Sequence, residues 1–200
     1  MVDQTLSLHD GAITKFSLKR CCIKSNSSVS RWLSYLSGHG INSLELSVYR
    51  KNQNTVPLSL KGFDHLQHLY LGYTCQVKIP PSSKEFNKLV KLELIYSILK
   101  LGDGAVRNWD DSSIMKYLKA QHSSNVCLSR LENVKLRWMM GFPSELEFVK
   151  ILLRWASALK KLEIYTRWAC DNTRIIQMIR ELEHIKCSMS SKVEFIFNTP

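Results

Sequence analysis

The chain has 200 residues, 44% hydrophobic and 22% charged, enough for one moderate domain or two small ones with a real core. No apolar run approaches the roughly 20 residues of a membrane-spanning helix, and the N-terminus lacks the basic-then-apolar order of a secretory signal. The net charge of +11 is spread from Lys15 to Lys192 without a run of five basic residues, which argues against a nucleic-acid-binding arm or tail.

The first patterned stretch, ITKFSLKRCCI at 13–23, sets Ile13, Phe16, Leu18, Cys21 and Ile23 at offsets of three, two, three and two. That fits neither a helical stripe nor simple alternation. VSRWLSYLSGHG follows, with Val29, Trp32, Leu33 and Leu36 on one helical face and Gly38 and Gly40 as stop residues. The uneven spacing then returns in INSLELSVY (Ile41, Leu44, Leu46), LQHLYLGYT (Leu66, Leu69, Leu71) and LVKLELIYSIL (Leu89, Leu92, Leu94). Pro80-Pro81 and Gly102-Asp103-Gly104 read as loops. LENVKL (Leu131, Val134, Leu136) and LKKLEI (Leu159, Leu162, Ile164) repeat the spacing again.

This is the L-x-x-L-x-L signature of leucine-rich repeats. The anchors Phe16, Leu44, Leu69, Leu92, Val134 and Leu162 lie 28, 25, 23, 42 and 28 residues apart. Each L-x-L predicts a short parallel strand with its two apolar side chains inward, and each return over the back favours a helix. Cys21 then packs just beyond the first strand as a small hydrophobe.

Between and beyond the last repeats lie two more helical patterns. PSELEFVKILLRWASAL has Ser144 and Glu147 in capping-box spacing and a stripe of Leu146, Val149, Leu152, Leu153 and Ala156. NTRIIQMIRELEHIK has Asn172 as N-cap and Ile175, Ile176, Ile179, Leu182 and Ile185 as its apolar face. KVEFIF alternates Val193, Phe195 and Phe197 and reads as a closing strand. The expected fold is α/β: a short leucine-rich-repeat solenoid with a curved parallel sheet and helices on its outer face. The repeats span 6–100, a connecting segment 101–127, and a last domain 128–200.

No phosphate-binding loop, nucleophile elbow or zinc-protease helix occurs, so the reading is non-enzymatic, with no catalytic residue, cofactor or metal. His65 and His68 face opposite sides of an expected strand and cannot chelate together. Six cysteines without a C-x-x-C indicate reduced thiols and a cytoplasmic or nuclear protein. Four tryptophans follow an arginine: Arg31-Trp32, Arg137-Trp138, Arg154-Trp155 and Arg167-Trp168. Trp32 and Trp155 fall on buried helix faces. Arg137 and Tyr165 each lie one strand position beyond an L-x-L. Aligning the repeats sets them side by side, with Lys135 beside Glu163 and Asn133 beside Lys161. Alternation turns these side chains to the open face of the sheet, so Lys135, Arg137, Glu163 and Tyr165 form the expected partner-binding surface.

LHDGAI, Trp32, YLSGHGI and SLEL resemble the start of the repeat region in plant F-box/FBD/leucine-rich-repeat proteins, with Ala12 in place of the family's proline. LENVKLRWMMGFPSELEFVKILLRWASALKKLEI followed by KVEFIF resembles their FBD domain, through Glu145, Leu146, Val149, Leu152, Leu153, Ala156, Leu159, Leu162 and Ile164. The resemblance implies the substrate-recognition part of an SCF-type ubiquitin ligase. The first strand begins by residue 13, leaving no room for an F-box, so the Skp-type adaptor is not expected to bind directly. The 42-residue interval looks like a splice across further repeats. The expected partner is a target protein whose identity the sequence does not give. A basic nucleic-acid-associated protein and a non-functional truncated gene product are the alternatives.

Overall fold

The computed structural model describes residues 2–49, 56–73, 75–78, 86–95, 115–116, 118–119, 127–167, 172–188 and 193–198. The fold is mixed α/β with a parallel sheet at its centre. In chain order the elements are α1 (Val2–Ser7), β1 (Lys15–Cys22), α2 (Asn26–Ser37), β2 (Ser43–Tyr49), β3 (Val56–Ser59), β4 (His68–Tyr73), β5 (Cys75–Lys78), β6 (Lys91–Ile95), β7 (Asn133–Met139), α3 (Pro143–Trp155), β8 (Lys161–Thr166), α4 (Asn172–Ser188) and β9 (Glu194–Asn198). Seven strands form one sheet in the order β1-β2-β4-β6-β7-β8-β9, and β3 pairs with β5 in a second, two-stranded sheet. The large sheet runs without interruption from strands before residue 100 to strands after 128, because β6 pairs directly with β7.

The anchors line up strand by strand. Phe16, Leu44, Leu69, Leu92, Val134, Leu162 and Phe195 form one inward row; Leu18, Leu46, Leu71, Leu94, Leu136, Ile164 and Phe197 form the next. From β2 to β8 both rows are buried, whereas on the edge strands β1 and β9 they are half-buried, having a neighbour on one side only.

Ahead of the strands a backbone staircase repeats. The carbonyl of Thr14 accepts the N–H groups of Asn42 and Ser43, and that of Asn42 accepts Gln67 and His68. Gln67 accepts Val90 and Lys91, Val90 accepts Glu132 and Asn133, and Glu132 accepts Lys160 and Lys161. One turn earlier, the N–H of Leu66, Leu89, Leu131 and Leu159 donates to the carbonyl of Phe63, Phe86, Leu128 and Ala156 respectively. All eight of these side chains are buried, so the turn that starts each unit is itself part of the core.

Helix α2 begins at Ser25, whose hydroxyl accepts the N–H of Ser27 at 3.1 Å. It buries Val29, Trp32, Leu33 and Leu36 as expected. Helix α1 is not foreshadowed by the repeat pattern. It packs on α2 through buried Leu6, and Asp3 accepts hydrogen bonds from Arg31 Nη2 and Trp32 Nε1, both at 3.0 Å. That contact accounts for one Arg-Trp pair.

Three details differ from the sequence reading. The returns after β2 and β4 carry the short strands β3 and β5, paired with each other in parallel, where helices were expected. In α3, Pro143 takes the first turn and Ser144 is buried inside the helix. Glu145 does the capping, accepting the N–H groups of Met140 at 2.9 Å and Phe142 at 3.0 Å. In α4 the buried stripe is Ile175, Met178 and Leu182, while Ile176 is 49% exposed. The loops at Pro80 and Gly102 lie outside the described residues.

The spacing of three between Leu18 and Cys21 is a β-bulge. The register between β1 and β2 breaks there, with Arg20 at φ 53°; β7 breaks identically between Arg137 and Met139, with Trp138 at φ 67°. Cys21 is half-buried against the core. Gly141, at φ 77°, passes so close to α4 that an added Cβ would stand 2.9 Å from the carbonyl carbon of Arg174. Gly141→Ala should therefore destabilise the fold by about 2 kcal/mol or more. Arg20→Gly, which relieves left-handed strain, should be neutral or stabilising by up to roughly 1 kcal/mol. Urea unfolding midpoints of the two variants check both signs.

Candidate functional site

The face of the sheet opposite the core presents three rows of side chains, each running across the strands. The first is Lys15, Ser43, His68, Lys91, Asn133, Lys161 and Glu194. The second is Ser17, Glu45, Tyr70, Glu93, Lys135, Glu163 and Ile196. The third contains Ser47, Gly72, Ile95, Arg137, Tyr165 and Asn198, of which Ser47 and Gly72 are buried. Here Gly72 is a matter of space, since a Cβ would meet Ser47 Oγ at 2.8 Å.

The four residues expected at the contact surface come together. Lys135 is opposite Glu163 and Arg137 opposite Tyr165 in the β7–β8 register. Lys135 Nζ lies 3.0 Å from Glu163 Oε2, and the Tyr165 hydroxyl donates to the same oxygen at 2.9 Å. Both cations also approach the Tyr165 ring, Lys135 Nζ at 4.9 Å and the Arg137 guanidinium at 4.8 Å from its centroid. Arg137 Nε turns to the other side and donates to Glu93 Oε1 at 2.9 Å. The cluster thus bridges β6, β7 and β8. Burial alone would raise the Glu163 carboxyl, but the donors Lys135 and Tyr165 outweigh it and hold its pKa below the ordinary value. Burial likewise works against the charged Lys135, and Glu163 and Tyr165 outweigh it to raise its pKa.

A second cluster on β1, β2 and β4 was not anticipated. Glu45 accepts from Lys15 at 2.6 Å, from Lys19 at 2.8 Å and from the Ser17 hydroxyl at 2.8 Å, and Lys19 Nζ lies 5.1 Å from the Tyr70 centroid. Its signal was present: Glu45, Glu93 and Glu163 occupy the same position in Leu-Glu-Leu, Leu-Glu-Leu and Leu-Glu-Ile. Trp138, next to Arg137, is 40% exposed at the bulge. His65 sits in the turn before β4 and contacts Lys88 Nζ at 3.0 Å, so it does not share a strand with His68.

Among the described residues the free cysteines are Cys21, Cys22, Cys127 and Cys187, no group of three or more His, Cys, Asp or Glu is placed to hold a metal, and no helix is long and apolar enough to cross a membrane.

Glu45 gives a pH prediction. Hydrogen bonds from Lys15 and Lys19 lower its pKa from 4.5 to about 2. A depressed carboxylate stabilises the fold above its unfolded pKa, and that stabilisation is lost as pH falls through the folded value. Acid destabilisation between pH 4.5 and about 2 should therefore be shallower in Glu45→Gln than in the parent. Urea midpoints across that window measure the difference; parallel curves would remove Glu45 from the acid response.

Comparison with known proteins gives one match by family: the family described as FBD, over residues 124–164, which takes in β7, α3 and most of β8. No curated protein and no solved structure matches. The residues from Cys127 to Ile164, including Lys135, Arg137 and Glu163, fall within that match, and over this region the chain is similar to the FBD family.

Proposed function

We propose that the chain is a non-catalytic protein-interaction module: a leucine-rich-repeat solenoid ending in an FBD-type domain, whose open sheet face holds a target protein for an SCF-type ubiquitin ligase. The observation that carries the reading is the cluster Glu93, Lys135, Arg137, Glu163 and Tyr165, three strands wide, on the face that the core leaves open. Arginine and tyrosine are the residue types enriched where interfaces concentrate their energy. Here they are held by neighbouring carboxylates, so little side-chain freedom remains to be lost on binding. The repeating staircase and the unbroken anchor rows support the solenoid, and the FBD match supports the kinship with F-box-type proteins. In this reading the Skp-type adaptor is not a partner of the sheet face, and the complex works in the cytoplasm or nucleus.

The reading is tested by affinity purification of the tagged chain with mass spectrometry, beside Arg137→Ala and Tyr165→Ala. The variants should lose a specific target at least about tenfold while their melting temperatures stay within a few degrees of the parent. Identical partner sets for parent and variants would sink the assignment of this face.

A further inference from the structure

Nearly all the carboxylates of the open face lie in its second row, and each of these is paired within the face. Glu45 is taken by Lys15, Lys19 and Ser17; Glu93 by Arg137; Glu163 by Lys135, Lys161 and Tyr165. The first row carries donors instead of carboxylates; its end lysines, Lys15 and Lys161, reach back to Glu45 and Glu163, and among the described residues the donors between them do not. Across six consecutive strands of the sheet it presents Lys15, Ser43, His68, Lys91, Asn133 and Lys161, all donor-bearing, with no carboxylate until Glu194 on the edge strand. Lys15, His68 and Lys91 are exposed, and the others half-buried. His68 and Lys91 are direct neighbours in register, and neither has an ion-pair partner among the described residues. Lys161 reaches Glu163 only at 3.6 Å, an oxygen set whose other atom is held by Lys135 and Tyr165.

From this row we infer that the module docks an extended acidic polypeptide segment, laid across the strands along the line from Lys15 to Lys161. The inference rests on the open face being the contact surface and names the chemistry of what it takes. Six strands at about 4.8 Å spacing give a line of roughly 24 Å, the length of about seven extended residues. The donors form a single file, and the glutamate row begins about 7 Å further along the strands. A nucleic-acid duplex is much wider than that and would bring its phosphates over Glu45, Glu93 and Glu163. A narrow chain of spaced carboxylates meets the donors and clears the glutamates. Charge complementarity of this kind selects partners and speeds encounter, and it weakens with salt.

The test uses the full chain and a fluorescent peptide of roughly twelve residues alternating glutamate and serine, long enough to overhang the line. Anisotropy titrations at about 50 mM salt compare the parent with Lys91→Gln, Lys91→Glu, Lys161→Glu and Tyr165→Ala. Lys24→Glu, a like charge change ahead of α2, is the control, and circular dichroism confirms the fold of each. The expected result is a loss of about tenfold or more for the Lys91→Glu and Lys161→Glu variants, a smaller loss for Lys91→Gln, and little change for Lys24→Glu. Equal losses in Lys24→Glu would mean diffuse attraction to a basic protein and overturn the row. Loss in Tyr165→Ala alone would overturn the row while leaving the open face as the contact surface. No binding of the peptide, or tighter row-dependent binding of a random DNA duplex, would overturn the acidic polypeptide.

Discussion

Everything on this protein's surface of interest depends on parallel register. Strands β2, β4, β6, β7 and β8 are each pinned at their start because one carbonyl of the previous unit accepts two successive N–H groups of the next, from Thr14 through Glu132. Side chains alternate with period two, so a slip of one residue would send every leucine of that strand to water and every lysine and glutamate to the core. The buried rows around Leu44 and Leu46 therefore enforce the outer rows, and the charge pattern of the open face is held in place by the core beneath it.

That coupling explains which parts of the structure could be read from sequence. The strands and their alignment were legible because the inward anchors recur with a fixed internal spacing, and the positions of Lys135, Arg137, Glu163 and Tyr165 follow from alternation alone. Helices α2 and α3 were legible through apolar stripes that the core then buries. What stayed hidden depended on contacts between segments far apart in the chain. Helix α1 is secured by Asp3 reaching Arg31 and Trp32, which no local pattern encodes. The Glu145 cap serves the backbone of a loop, Met140 to Phe142, whose course is dictated by Gly141 passing α4. In α4, five isoleucine and leucine positions make a stripe wider than the surface available, and Ile176 is the one left out.

The two bulges show a local rule yielding to the same register. Arg20 and Trp138 occupy a backbone region that favours glycine, at equivalent positions four residues beyond their anchors Phe16 and Val134. The extra residue lets Cys21 and Met139 return to the inner face after the second anchor. The irregular spacing in the first strand is thus a consequence of keeping one more side chain in the core.

Ion pairs inside the open face also constrain what a partner can gain there. A paired glutamate such as Glu45 or Glu163 already has its donors, and a partner group that competes for those donors must first break them away. The net contribution of exposed pairs is small, about 0–1 kcal/mol each, but displacing one leaves a desolvated carboxylate behind, which costs more than the pair contributed. If the face docks an acidic segment as proposed, binding is therefore most favourable where donors are still uncommitted. In the second and third rows the charges are largely committed, with Tyr165 and Arg137 held by Glu163 and Glu93. In the first row His68 and Lys91 stand side by side uncommitted among the described residues. Arg137 and Tyr165 lie four residues beyond Asn133 and Lys161 on the same strands, about 13 Å along the sheet, with the paired glutamate row between them and the first row.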